Sequence, residues 1–109
     1  MTQRLPNKGK NGYNEAMARL FVASAEKDAH LKVFRAGRQS DADLLYYEVA
    51  RERDALGDLF WFFAAEERDA KVKLFWVGQE RDADLRVFKV EREADVGWRT
   101  SHKWRERLG

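Results

Sequence analysis

The dipeptide Asp-Ala recurs at Asp28-Ala29, Asp41-Ala42, Asp54-Ala55, Asp69-Ala70 and Asp82-Ala83, at spacings of 13, 13, 15 and 13 residues. A fixed period constrains a chain more than any local propensity, because whatever one unit forms its siblings must form and pack alike. The one irregular spacing has a visible cause. After Asp54-Ala55 the chain carries Leu56-Gly57 before Asp58-Leu59, where its siblings read Asp41-Ala42-Asp43-Leu44 and Asp82-Ala83-Asp84-Leu85; removing those two residues restores the period.

With the insertion allowed, apolar columns align across six units. Phe21, Phe34, Tyr47, Phe62, Phe75 and Phe88 form an aromatic column, preceded by Leu20, Val33, Tyr46, Trp61, Leu74 and Val87. Two positions before the latter stand Ala18, Leu31, Leu44, Leu59, Val72 and Leu85. The column between, Arg19, Lys32, Leu45, Phe60, Lys73 and Arg86, is charged in the outer units and apolar in the two central ones, which suggests a second face covered only at the centre. Segments such as Leu85-Arg86-Val87-Phe88-Lys89-Val90 alternate apolar and charged residues and then set two apolar residues together. Period-2 alternation rich in Val, Phe, Tyr and Trp argues strand, and the adjacent pair implies a twist, a bulge or burial on both faces. Glu48 to Leu56 holds good helix formers, but helices do not account for aromatic columns returning every 13 residues.

The links, such as Gly37 to Asp43 and Gly78 to Asp84, are polar and about seven residues long. Each suits one helical or 3-10 turn, its Ala packed inward and a Ser or Asp capping free N–H groups. Seven residues are too few for a helical crossover between neighbouring parallel strands, so general rules favour an antiparallel meander. The residues thus specify an all-β fold: six short strands in tandem repeats of about 13 residues, joined by tight or one-turn links.

A chain of 109 residues supplies one modest core. Without cysteine, disulfides and thiolate metal sites are excluded, and a reducing compartment fits. The residues from Met1 to Lys8 lack the apolar segment of a secretory signal, and the longest apolar run, Leu59 to Ala65, is far too short to span a membrane. A cytoplasmic protein with no membrane role is expected. Charge is uneven: residues 1–19 hold four basic and one acidic residue (+3), residues 99–109 likewise (+3), and residues 20–98 hold 13 basic and 17 acidic residues (−4). The expected organisation is a flexible basic N-terminal tail over 1–17, a β-repeat domain over 18–100 and a basic C-terminal tail over 101–109.

The stretch from Asp41 to Trp98, with its Asp-Ala-Asp-Leu strand starts, its single Leu-Gly insertion before Phe60-Trp61-Phe62-Phe63 and its ending Glu93-Ala94-Asp95-Val96-Gly97-Trp98, resembles small bacterial proteins of unknown function that form a seven-crossing torus knot, the septoil knot. The resemblance covers roughly residues 18–100. It implies a compact monomer whose short strands wind around one another into a deep knot, with no assigned activity or cofactor.

Enzyme chemistry finds little material. His30 and His102 are the only histidines, Ser24, Ser40 and Ser101 the only serines, and the adjacency of Ser101 and His102 carries no weight, because nucleophile and base must converge in space. No catalytic residue and no cofactor is assigned. Asp41/Asp43 and Asp82/Asp84 place carboxylates two apart in repeated turns, as a hard cation would want. The other units put His30 or Lys71 at the second position, so capping explains the pairs better and no metal site is assigned. The expectation is a non-enzymatic protein of unknown partner, selected for mechanical or proteolytic stability. One alternative is nucleic-acid binding by Trp98, Arg99, Lys103, Trp104, Arg105 and Arg107, which interleave stacking rings with cations. Against it stands the acidic body. Another is a protein-interaction module in which Tyr46, Trp76 or Phe63 form an exposed aromatic patch.

Overall fold

The computed structural model describes residues 17–109. The expected N-terminal tail lies outside the described residues apart from Met17, which opens the first strand. Six strands appear where the columns place them: β1 (Met17–Val22), β2 (Leu31–Arg35), β3 (Leu44–Glu48), β4 (Gly57–Phe63), β5 (Val72–Trp76) and β6 (Leu85–Lys89). A two-residue seventh, β7 (Gly97–Trp98), follows. Each link carries one three-residue 3-10 turn, such as Glu26–Asp28 or Glu80–Asp82, and no α-helix occurs among the described residues.

Pairing departs from the expected meander. The sheet order is β4-β1-β5-β2-β6-β3-β7, with β3 also pairing β4, so the six main strands close into a barrel. Every pairing among those six is parallel; only β7 runs antiparallel, against the start of β3. A seven-residue link suffices because the chain never returns along the strand it has just made. On β5, Leu74 is the partner of Val22, where β1 ends, and of Leu31, where β2 begins. On β6, Val87 is likewise the partner of Arg35 and of Leu44. Each strand therefore begins at the level where the previous one stopped, and the link only steps over the strand between.

The chain makes two laps. β1, β2 and β3 take alternate places around the barrel, and β4, β5 and β6 fill the gaps. Every link within a lap steps over one strand, but the link from β3 to β4 must move to an adjacent place, since a full step would land on β1. That is where the inserted Leu56-Gly57 stands, with Gly57 at φ +72°, a left-handed conformation that costs glycine little.

Neighbouring strands are offset by two residues at each place around the circuit, as Phe63 pairing Leu20 and Leu20 pairing Val72 illustrate, which tilts the strands steeply and stacks inward side chains in layers. The lower layer is Ala18, Leu31, Leu44, Leu59, Val72 and Leu85, all buried except half-buried Leu59. The middle layer, Leu20, Val33, Tyr46, Trp61, Leu74 and Val87, is at most 4% exposed. The six aromatic-column residues face outward and are half-buried, because period 2 sends the residue after an inward one to the other face. Their environment is shared, on the outer wall. There the links cover two of them: Ala36, Ala42, Leu45 and Val90 form a second buried cluster with Tyr47, Phe88 and Val96 packed against it.

The charged outward column is neutralised by the links. Lys32 pairs with Glu26 at 3.4 Å, Lys73 with Glu67 at 2.8 Å, Arg86 with Glu80 at 3.0 Å and Arg19 with Glu52 at 3.2 Å. In the unit where the strand residue is Leu45, the link offers Gln39. The expected capping role of Ser and Asp is not seen: the residues before the turns, Ala25, Arg38, Arg51, Glu66, Gln79 and Arg92, are extended and make no side-chain cap bond. A three-residue turn closed by its own backbone, as by Asp28 N–H to the Ala25 carbonyl at 3.1 Å, leaves nothing for such a cap to do.

The third residue of the Asp-Ala-x motif pins strand register instead. Asp43 N–H donates to the Arg86 carbonyl while its carboxylate accepts from Arg86 N–H at 3.0 Å. Asp84 does the same with Lys32, and His30 with Lys73 through Nδ1. The second Asp of each pair, Asp43 and Asp84, is thereby given a structural role, and no cluster able to hold a metal occurs among the described residues.

Candidate functional site

The two ends of the barrel differ. At the end where strands begin, the C-terminal segment folds back as a plug: Leu108 is fully buried in the core cluster, with Trp98 and Trp104 packed beside it. Asp58, which precedes the β4 core residue Leu59, holds the plug. Its carboxylate accepts from the backbone N–H of Leu108 at 3.0 Å, of Gly109 at 2.9 Å and of Glu106, and from the Trp98 indole at 3.2 Å.

A second polar cluster braces the same end. Asp43 takes Arg86 Nη2 at 2.7 Å and Nε at 3.2 Å, and the Thr100 hydroxyl at 3.1 Å. Burial pushes the Asp43 carboxyl up, but the hydrogen bonds from Arg86 and Thr100 outweigh it and hold the group below its ordinary range. Hydrogen bonds to Asp43 and Glu80 raise Arg86 further. His102 Nε2 meets the Asp84 carbonyl at 2.8 Å, and its ring stacks on Trp98 at 5.8 Å.

At the other end, where all six strands finish, the described residues leave a third inward layer open. Its members follow the middle layer by two residues: Val22, Arg35, Glu48, Phe63, Trp76 and Lys89. These six, with Ala36, Tyr46, Val87 and Phe88, line a cleft of about 510 Å³. In spatial order the strands read β4, β1, β5, β2, β6, β3, so the layer runs Phe63, Val22, Trp76, then Arg35, Lys89, Glu48. One half of the mouth is apolar and the other charged.

Electrostatics inside the charged half are asymmetric. Lys89 Nζ pairs with Glu48 Oε1 at 3.3 Å. The Arg35 guanidinium lies 4.0 Å above the Trp76 ring and, among the described residues, has no carboxylate partner. Below, Tyr46 stacks on Trp61 at 4.0 Å and meets Phe63 edge-on at 6.5 Å, forming the floor. Burial pushes the Tyr46 phenol up to about 12, so it stays neutral and able to donate at physiological pH. The arrangement can bind a flat apolar group and an anion together.

The residues singled out for function divide accordingly. Tyr46, expected in an exposed patch, is only 4% exposed because it belongs to the middle core layer. Trp76 and Phe63 are half-buried and line the mouth on either side of Val22. Trp98 and Trp104 are half-buried against the opposite end, with Arg99, Lys103, Arg105 and Arg107 exposed around them. The charged mouth residues Arg35, Glu48 and Lys89, and Asp58, are not among the candidate site residues named from the sequence. Their signal was present: two columns are apolar in all six units, and the next column on the same face is not.

The fold and the two unlike ends define a closed β-barrel wound in two laps from tandem repeats. The chain belongs to the septoil knot family, whose model, described as a 7(1) septoil knot domain, matches residues 17–99. Comparison with curated proteins and with solved structures returned no match.

Proposed function

We propose that this protein is a non-enzymatic binding module, a cytoplasmic monomer whose knotted barrel holds the mouth at the strand ends as a fixed receptor. One observation carries this reading. Two successive inward layers are wholly aliphatic or aromatic, the third is half charged, and the described residues leave it uncovered while Leu108, Trp98 and Trp104 pack against the other end. Concave sites lined by apolar residues with a few convergent polar groups are where small ligands bind. A mixed fragment library screened by amide chemical shifts tests it: binders are expected to move Val22, Arg35, Glu48, Phe63, Trp76 and Lys89 and leave Asp58 and Leu108 still. An absence of binders, or shifts scattered over the surface, rejects it.

Resistance to forced unfolding is a second reading, supported by the two-lap closure in which each barrel strand is hydrogen-bonded on both sides. It expects slow degradation by an unfolding protease, and rapid processing of the intact fold counts against it. The nucleic-acid alternative is not favoured, because Trp98 and Trp104 are turned toward the core.

A further inference from the structure

Resting on the reading of the mouth as a receptor, we infer that its ligand is a small aromatic acid: a flat ring system bearing a carboxylate. The apolar half, Phe63, Val22 and Trp76, consists of two aromatic rings and one branched side chain, with Val22 41% exposed. A planar body covers such a surface better than a flexible chain does, since few rotors are frozen on binding. At the boundary, the Arg35 guanidinium carbon lies over the Trp76 ring, 4.0 Å from its centroid. A guanidinium held on a ring keeps its N–H edge free to take a carboxylate in two parallel hydrogen bonds, and here the ring also places that edge beside the body of a bound aromatic.

Charge decides the sign of the head group. Two cations and one anion ring the mouth, and the anion, Glu48, is already paired with Lys89 at 3.3 Å. The unmatched charge is therefore that of Arg35, on the same side as the Lys89 ammonium. A cationic ligand would meet both; an acid satisfies one and borders the other. The shape argues for a free small molecule rather than a peptide. The mouth is bounded by residues from all six strand ends and floored by Tyr46, and about 510 Å³ accommodates a fused ring pair with its carboxylate.

The test uses the full chain and three probes of one shape: naphthalene-2-carboxylate, its neutral carboxamide, and naphthalen-2-ylmethylammonium, each titrated by amide shifts and calorimetry. The acid is expected to bind at the mouth about tenfold or more tighter than the amide, a difference of about 1.4 kcal/mol, and the ammonium more weakly still. Arg35→Gln should remove the preference for acid over amide, and Glu48→Gln should raise acid affinity a few-fold; both positions are exposed, so the fold is retained. Equal binding of all three probes at the mouth overturns the acid assignment and leaves the receptor standing. No binding at the mouth overturns both. Tighter binding of an acetylated tripeptide ending in Phe than of the free acid hands the site to a peptide and overturns the inference.

Discussion

Asp58 and Asp43 sit at the same place in two repeats and do different work, because different partners face them. Asp58 meets the returning C-terminal segment and accepts three backbone N–H groups and the Trp98 indole while itself 9% exposed. Removing an acceptor from buried donors costs about 1–3 kcal/mol each, and the Leu108 N–H is among them. Asp58→Ala is therefore expected to lower stability by about 3 kcal/mol in urea unfolding and to increase acrylamide quenching of tryptophan. Unchanged quenching would show that the plug holds without it. Asp43 faces Arg86, with its side chain 8% exposed. Its carboxyl titrates near 3.9 in an unfolded chain and lower when folded, so its contribution is complete above the unfolded value and is lost as pH falls through the folded one. Stability should thus decline below about pH 4, and Asp43→Asn should be less stable at neutral pH with a flatter acid limb. Parallel pH profiles for the two proteins would contradict the assignment.

At the scale of the element, the link between β3 and β4 is where the winding changes, and Gly57 is what lets it turn. A side chain there meets nothing within 4 Å, so the left-handed backbone alone opposes substitution. Gly57→Ala is expected to cost about 1–2 kcal/mol, while Gly37→Ala, also in open space and without positive φ, should be nearly neutral in thermal melts. Equal effects would mean that conformation is not the cause. The strand positions and their one-turn links were legible because each follows from a short window: alternation, a run of polar residues, a repeated dipeptide. So was the Leu56-Gly57 irregularity, whose meaning was not, since it depends on which place around the barrel is already taken. Pairing failed for the same reason. The rule that parallel neighbours need long crossovers presumes that consecutive strands are neighbours, and here Leu20 finds Val72 and Phe63 rather than anything in β2. The mouth was legible in principle, because Val22, Arg35, Glu48, Phe63, Trp76 and Lys89 form a column as regular as the two below it. Its mixed chemistry hides it, because aligned columns stand out in a repeat only where their residues are alike.

For the molecule as a whole, closure distributes stability evenly. Every strand of the first lap is flanked by strands of the second, so no main strand can leave without breaking two ladders. Amides of β1 to β6 are accordingly expected to exchange only through global unfolding and to share one free energy in native-state hydrogen exchange. A strand that exchanges faster than the rest by a sub-global route would refute this. Because the ladders join residues some fifty positions apart, as Leu20 and Val72 are, folding should be slow for a chain of this length, with relaxation in the range of seconds or longer. The step of the links has a last consequence. In open repeat arrays each unit touches only its neighbours, so copies are gained or lost one at a time and the molecule merely lengthens or shortens. Here an added copy would find its berth occupied and a missing one would leave a berth vacant, so the number of repeats is quantised by the circumference, and duplication, the ordinary means by which such sequences grow, is closed to this one.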